Sequence, residues 1–275
     1  MCLLQTAIIR GEYRMTKGVA ANAGAQIQPM QWGSAPELVG PRHTYRVERL
    51  ARCLHAAIPR GTILDAGCGA GTLTERLLRM GYTVVAIDDS PEFVGYTRAR
   101  VERAGLGHRA CVQRGDLQSL ELEPGSFDGA VCGDVLEHVP DDSAAVQAIA
   151  SALRPGGVFA LTVPAGADRY DWLDAWAGHE RRYDEPALRQ ILVGAGLRIE
   201  YLTRWGFPFM ALYERFVQRP GLARTSGADG STSTLAKLAR SRPVTVGLGA
   251  MFRVDQQFEG RMNRGTGFLA RARKL

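Results

Sequence analysis

A chain of 275 residues is long for a single domain but suits one α/β domain with a substantial insertion, and it can bury a full hydrophobic core. An apolar share of 45% and a charged share of 23% exclude collagen-like, disordered and membrane-bundle compositions. The net charge of +6 is uneven: residues 204–275 hold 13 of the 34 Lys/Arg but 4 of the 28 Asp/Glu, a basic tail that either attracts an anionic partner or is simply the solvated face of a helical lobe.

In chain order, Cys2 to Ile9 is apolar but short, broken by Gln5 and Thr6, with no basic lead and no small-residue cleavage site, so no signal peptide is read there. A Gly/Ala/Gln-rich opening follows. From about Tyr45 to Ala57 a helical pattern puts Val47, Leu50 and Leu54 on one face, and this helix is expected to dock on the main domain. From residue 60 onward short apolar runs alternate with helical patterns, as in βαβ units around a parallel sheet buried on both faces. Strands are predicted at Thr62 to Ala66, Thr83 to Asp88, Ala110 to Arg114, Phe127 to Gly133, Gly157 to Val163, Leu197 to Trp205 and Thr266 to Arg273. Helices are predicted at Leu73 to Met80, Pro91 to Ala104, Ser143 to Leu153 and Glu185 to Ala195. Residues 206–265 break the rhythm with an aromatic run (Phe207, Phe209, Tyr213, Phe216), a Gly/Ser/Thr-rich linker from Gly221 to Thr234, and an apolar stretch from Val244 to Phe252. The predicted organisation is an N-terminal extension with its docking helix (1–58), a nucleotide-binding core (59–205), an inserted cap lobe (206–265) and a final core strand (266–275).

The five cysteines are odd in number and widely separated, which fits reduced thiols in a cytoplasmic protein. No stretch approaches the roughly 18 apolar residues of a spanning helix.

After the first strand comes Gly67-Cys68-Gly69-Ala70-Gly71 and then a helix, a strand-loop-helix arrangement that places a nucleotide at the carboxyl end of a parallel sheet. The spacing is GxGxG, whereas the dinucleotide fingerprint is GxGxxG. Asp65, just before the loop, would repel a pyrophosphate but suits a ligand bearing an ammonium group. Asp88, at the end of strand two, is placed to accept hydrogen bonds from ribose hydroxyls. Asp116 can accept from an adenine amino group while Leu117 packs on the ring, although an Asp that merely forms a turn is equally compatible.

Together TILDAGCGAGTLT, VVAIDDSP, RGDLQSL, FDGAVCGDVLEHVPD and LRPGG resemble the successive motifs of class I S-adenosylmethionine (SAM)-dependent methyltransferases, over roughly residues 45–204. The resemblance implies a Rossmann-like seven-stranded sheet with an antiparallel last strand, SAM across strands one and two, S-adenosylhomocysteine (SAH) as product, and the acceptor beyond strand four. It places Asp65, Gly67, Gly69 and Gly71 around the methionine part, Asp88 and Asp89 at the ribose, and Asp116 and Leu117 at the adenine. Asp134 joins the cofactor-binding set.

Methyl transfer from a sulfonium is an in-line displacement, so the protein has to align an acceptor and, where needed, remove its proton. His138, after strand four, and His179, in a GHERRY stretch similar to one in methyltransferases of natural-product, quinone and lipid-linked substrates, are the two candidate bases. Each has a purely structural alternative. Tyr170, Trp172, Trp176 and Tyr183 are candidates to line a hydrophobic or planar acceptor site, with ordinary core packing as the alternative. No metal is required by this reading; a divalent cation held by Asp134, Glu137 and His138 is the minority variant. The expected acceptor is a small hydrophobic or aromatic molecule such as a natural product, quinone or lipid, with O-methylation favoured, and the lobe is a candidate for peripheral membrane contact or for homodimer formation. The competing classes are a nucleic-acid methyltransferase, for which no RNA-binding motif or Pro-Pro-aromatic pattern is present, an NAD-dependent dehydrogenase, disfavoured by the loop spacing, and a SAM-binding protein without catalytic activity.

Overall fold

The computed structural model describes residues 40–219, 242–261 and 264–275. The opening segment before residue 40, Cys2 and the Gly221 to Thr234 linker lie outside the described residues. Helix α1 (Pro41–His55) begins with a proline in its first turn and presents Tyr45, Val47, Leu50, Ala51 and Leu54 to the core. Then come β1 (Thr62–Ala66), α2 (Thr72–Arg79), β2 (Thr83–Asp88), α3 (Pro91–Arg103), β3 (Ala110–Arg114), β4 (Phe127–Gly133), α4 (Asp142–Ala152) and β5 (Leu153–Pro164). The second half holds α5 (Trp172–Ala177), α6 (Glu185–Gly194), β6 (Leu197–Trp205), α7 (Phe209–Tyr213), α8 (Arg242–Val254) and β7 (Gly267–Lys274).

The strands form one sheet in the order β3-β2-β1-β4-β5-β7-β6. Strands β1 to β5 are parallel, whereas β7 runs antiparallel to both β5 and β6. The strand order reverses between β1 and β4, and such a switch point opens a crevice at the carboxyl ends of the strands. Adjacent residues of β1 and β2 serve opposite faces: Ile63 and Val84 join Leu50, Leu54 and Leu77 on the α1 and α2 side, and Leu64 and Val85 join Ile149, Leu188 and Leu192 on the other. The central strands are therefore buried on both faces, the pattern of a sheet covered on both sides.

The α1 helix sits directly on β4. Leu54 lies over Gly129, where a Cβ would come 3.1 Å from its Cδ1, so the absence of a side chain there lets the helix approach the sheet. It starts four residues earlier than the apolar pattern suggests because Pro41 supplies a ready first turn. Strand β5 likewise starts at Leu153, because Leu153 pairs with Phe127 and the register then shifts to accommodate the turn-like Arg154-Pro155-Gly156. Between β6 and β7, Leu212, Phe216 and Val217 are exposed, while Met210, Tyr213 and Phe252 are buried with α1 in the core. Cys53, Cys68, Cys111 and Cys132 are free thiols, and no described helix is long and apolar enough to cross a membrane.

Leu54 is fully buried, so Leu54→Ala is expected to cost about 2–5 kcal/mol of stability. Urea unfolding checks this, and a loss below about 1 kcal/mol would mean that α1 is only loosely held.

Candidate active site

The loop between β1 and α2 is held from below by backbone bonds: the amides of Gly67 and Cys68 both donate to the Ile87 carbonyl of β2, at 2.8 and 2.9 Å. Gly67 and Gly71 have φ of +78° and +82°, which L side chains rarely adopt. Their neighbours are protein. A Cβ at Gly67 would land on the Val135 side chain, and one at Gly71 would come 2.7 Å from Thr97 Oγ1 on α3. Gly69, also at positive φ, donates its amide to Asp88 Oδ2 at 2.8 Å and its carbonyl accepts from Thr97 Oγ1 at 2.7 Å.

Three acids stand at successive strand ends, in different states. Asp65 is buried and accepts from Thr74 Oγ1 at 2.6 Å, which ties β1 to α2. Asp88 is 7% exposed; burial pushes its carboxyl up to about 6, opposed by the amides of Gly69 and Ser90. Asp89, next to it, is exposed. Asp116 accepts from the Gln118 amide at 3.0 Å and from Gln118 Nε2 at 3.3 Å, so its carboxylate organises its own turn, while Leu117 is buried in the core.

Asp134, expected in the cofactor set, is tied to other parts of the protein through its side chain. It is the one described non-glycine residue at positive φ (+53°), and both of its oxygens are engaged inside the protein. Oδ1 accepts from Thr162 Oγ1 at 2.7 Å, and Oδ2 from Arg42 at 3.0 Å with Arg46 at 3.4 Å. The two guanidiniums hold its carboxyl below the usual range despite burial. Asp134 thus links β4 to β5 and α1. The donor atoms that converge, within 4.8 Å of one another, belong to Glu137, His138 and His179. Glu137 is buried, its Oε2 has no hydrogen-bond partner, and burial beside Asp134 pushes its carboxyl well up.

The two histidines predicted separately meet here, their rings 4.8 Å apart and edge to face. His138 Nδ1 faces the Gly178 carbonyl at 3.1 Å, and burial followed by the neighbouring His179 lowers this imidazole to about 4. His179 Nδ1 faces Asp174 Oδ1 at 2.7 Å. Asp174, which the sequence reading did not single out, is 1% exposed, and its carboxyl falls to about 2 because His179 and Arg182 outweigh its burial. Its signal in the sequence is Asp171-x-x-Asp174, a capping box that starts the short α5.

The aromatic candidates divide. Tyr170 and Trp172 are 44% and 39% exposed, and Trp176 is half-buried one turn beyond Trp172. Tyr183 is core: it is 2% exposed and its hydroxyl donates to Asp142 Oδ2 at 2.7 Å, so it lines no surface. The segment is pinned to the loop after β4 by Glu180 N to Glu137 O at 2.7 Å and by Arg181, which donates to the carbonyls of Val139 and Pro140.

A seven-stranded sheet of this order, a GxGxG loop at its switch point and acids at the ends of β1, β2 and β3 define the class: the chain belongs to the class I SAM-dependent methyltransferases. Residues 64–161 match the family described as a methyltransferase domain. The ubiquinone biosynthesis O-methyltransferase of Xanthomonas campestris pv. campestris strain B100 is 38% identical over 134 residues, which is 48% of this chain and 55% of that one. The protein of the same name from Xanthomonas euvesicatoria pv. vesicatoria is 35% identical over 187 residues, 62% of this chain and 77% of that one. The chain thus spans little more than half the length of the first relative. The solved structure of a geranyl diphosphate methyltransferase shares the fold, with a TM-score of 0.60 at 14% identity over 84% of this chain and 77% of that one.

Because Gly67 combines positive φ with a filled neighbourhood, Gly67→Ala is expected to destabilise by about 1–3 kcal/mol. Adding Val135→Ala should recover part of that loss in thermal unfolding; no recovery would mean the strain is purely backbone.

Proposed function

We propose that the chain transfers the methyl group of SAM to a hydroxyl oxygen of a small hydrophobic or aromatic acceptor, of the quinone-precursor, natural-product or lipid-like class. The observation that carries this reading is that His138, in the loop after β4, meets His179, on the segment after β5 that exposes Tyr170 and Trp172. The named activity of the ubiquinone biosynthesis relatives supports the hydroxyl. In this reading 59–205 and 266–275 form the cofactor-binding core, 206–265 the cap and 1–58 an extension.

The donor set suits SAM. Among the described residues no cation pairs with Asp88, and each of its oxygens accepts one amide, which leaves lone pairs for the two ribose hydroxyls. With Asp65 nearby, the loop is hostile to a pyrophosphate and receptive to the ammonium and sulfonium charges of SAM. Asp65 and the loop glycines would hold the methionine part, Asp88 with Asp89 the ribose, and Leu117 with Asp116 the adenine. When bound, SAM supplies an electrophilic methyl carbon, and its C–S bond breaks as the new C–O bond forms, leaving SAH.

Deprotonating the acceptor falls to His179. His138, lowered to about 4, is neutral but a poor proton acceptor at physiological pH, so it serves to position its neighbour. His179 takes the hydroxyl proton at Nε2 and returns it to water. Tyr170, Trp172 and Trp176 supply flat apolar surface for a planar acceptor. A second reading, favoured by the convergence of Glu137, His138 and His179, has these three hold a divalent cation that orients the acceptor oxygens.

Incubation with SAM and a panel of catechols and other phenols, followed by mass spectrometry, should show the gain of one methyl group on a subset; no gain across the panel would count against a phenolic acceptor. Turnover that survives EDTA dialysis supports the metal-free mechanism, and turnover lost to EDTA and restored by Mg²⁺ supports the cation. Ribose hydroxyls donate to the ionised form of Asp88, whose carboxyl sits near 6 in the free protein. SAH affinity should therefore be full above about pH 7 and weaken as pH falls through about 6. Asp88→Asn should remove that dependence and weaken binding about 10- to 100-fold. Calorimetry that finds wild-type affinity flat across this range would take Asp88 out of the ribose site.

A further inference from the structure

We infer that Asp174 is a positioning residue for His179: its buried carboxylate keeps the imidazole proton on Nδ1 and so turns Nε2 into a proton acceptor for the acceptor hydroxyl. This rests on the reading of His179 as the base.

The geometry around Asp174 leaves one consistent assignment. Oδ1 lies 2.7 Å from His179 Nδ1 and 2.8 Å from Arg182 Nε, and Oδ2 lies 2.8 Å from Arg182 Nε and 3.0 Å from the Asp171 amide. Arg182 and the amide are donors that cannot reverse, and an ionised carboxylate only accepts. Nδ1 must therefore carry a hydrogen, and in the neutral imidazole the remaining ring nitrogen, Nε2, holds the lone pair. The logic is that of an acid behind a catalytic histidine, where the carboxylate fixes tautomer and ring orientation and stabilises the imidazolium once it forms.

Further contacts hold the backbone of His179 and one side of its ring. The His179 amide donates to the Asp174 carbonyl at 2.9 Å, its carbonyl accepts from Tyr170 Oη at 2.7 Å, and its ring packs edge to face on His138. Asp174 also closes the capping box of α5, so the carboxylate that orders the aromatic segment is the one that orients the base.

The substitution Asp174→Asn discriminates this role from a structural one. The amide side chain it introduces has one carbonyl oxygen, and at the Oδ2 position that oxygen faces two fixed N–H groups, so the NH₂ turns toward His179. Nδ1 must then accept, the ring proton moves to Nε2, and the acceptor hydroxyl meets a donor.

The test uses the full chain labelled with ¹⁵N-histidine at a pH where imidazole is neutral, together with turnover of SAM and 3,4-dihydroxybenzoate as the probe acceptor. The expected wild-type spectrum shows His179 protonated on Nδ1. Asp174→Asn should show it protonated on Nε2, with kcat reduced about 100-fold or more and KM for the catechol little changed. In a His179→Gln background the same substitution should have little further effect on kcat, whereas a merely structural Asp174 would lower it again. A wild-type His179 protonated on Nε2 overturns the inference, as does a shifted tautomer in Asp174→Asn with kcat intact. If Asp174→Asn does not fold, the wild-type tautomer decides. Should the wild type fail to methylate the catechol, the acceptor reading falls, while the ring-nitrogen spectra still decide the role of Asp174.

Discussion

Asp134 is where the parts of this molecule are fastened together. Its backbone adopts left-handed geometry immediately after β4, its side chain reaches Thr162 on the neighbouring β5, and Arg42 and Arg46 descend on it from α1. Arg42 also donates from Nε to Glu214 at 2.6 Å, just beyond α7 in the lobe. Two guanidiniums and two carboxylates thus form a locally neutral group, the condition under which charges removed from water are tolerated. Removing any one would leave a largely buried charge uncompensated. The following residue, Val135, occupies the space that Gly67 leaves open, so the shape of the cofactor loop depends on the same fastening.

Much of the fold is legible in the sequence because its strands are short, largely apolar runs set between helical patterns. Strands β1, β2, β3, β4 and β6 fall on the residues that pattern predicts. What escapes it is structure whose cause is non-local or too short to repeat. Leu153 reads as the end of the preceding helix and Gly157 as the start of the strand, yet Leu153 already pairs with Phe127. Helix α5 is six residues long, less than two turns, so no periodic stripe can announce it.

The site divides in the same way. Spacing from the glycine loop locates acids at strand ends, and Asp65 and Asp88 stand there, Asp65 accepting from Thr74 and Asp88 from the Gly69 amide. Spacing says nothing about what else an acid binds. Asp134 meets Arg42 across 92 residues of chain, and Tyr183 meets Asp142 across 41, so neither fate could be read from the residues alongside. His138 and His179 were each legible as an ionisable group of the right chemistry, but only the fold brings the two rings together. Asp174 was hidden among aromatic residues, and its importance lies in partners five and eight positions later.

The glycine loop has a history to tell about descent. Its first and third glycines are required by Val135 and Thr97, neighbours that are present whether or not anything is bound. Selection for a well-packed switch point would therefore preserve the GxGxG pattern even in a lineage that had abandoned methyl transfer for another use of the fold. The carboxylates at the strand ends are held in the same way, Asp65 by Thr74 and Asp88 by the amides of Gly69 and Ser90, so packing alone gives these letters of the signature a reason to persist.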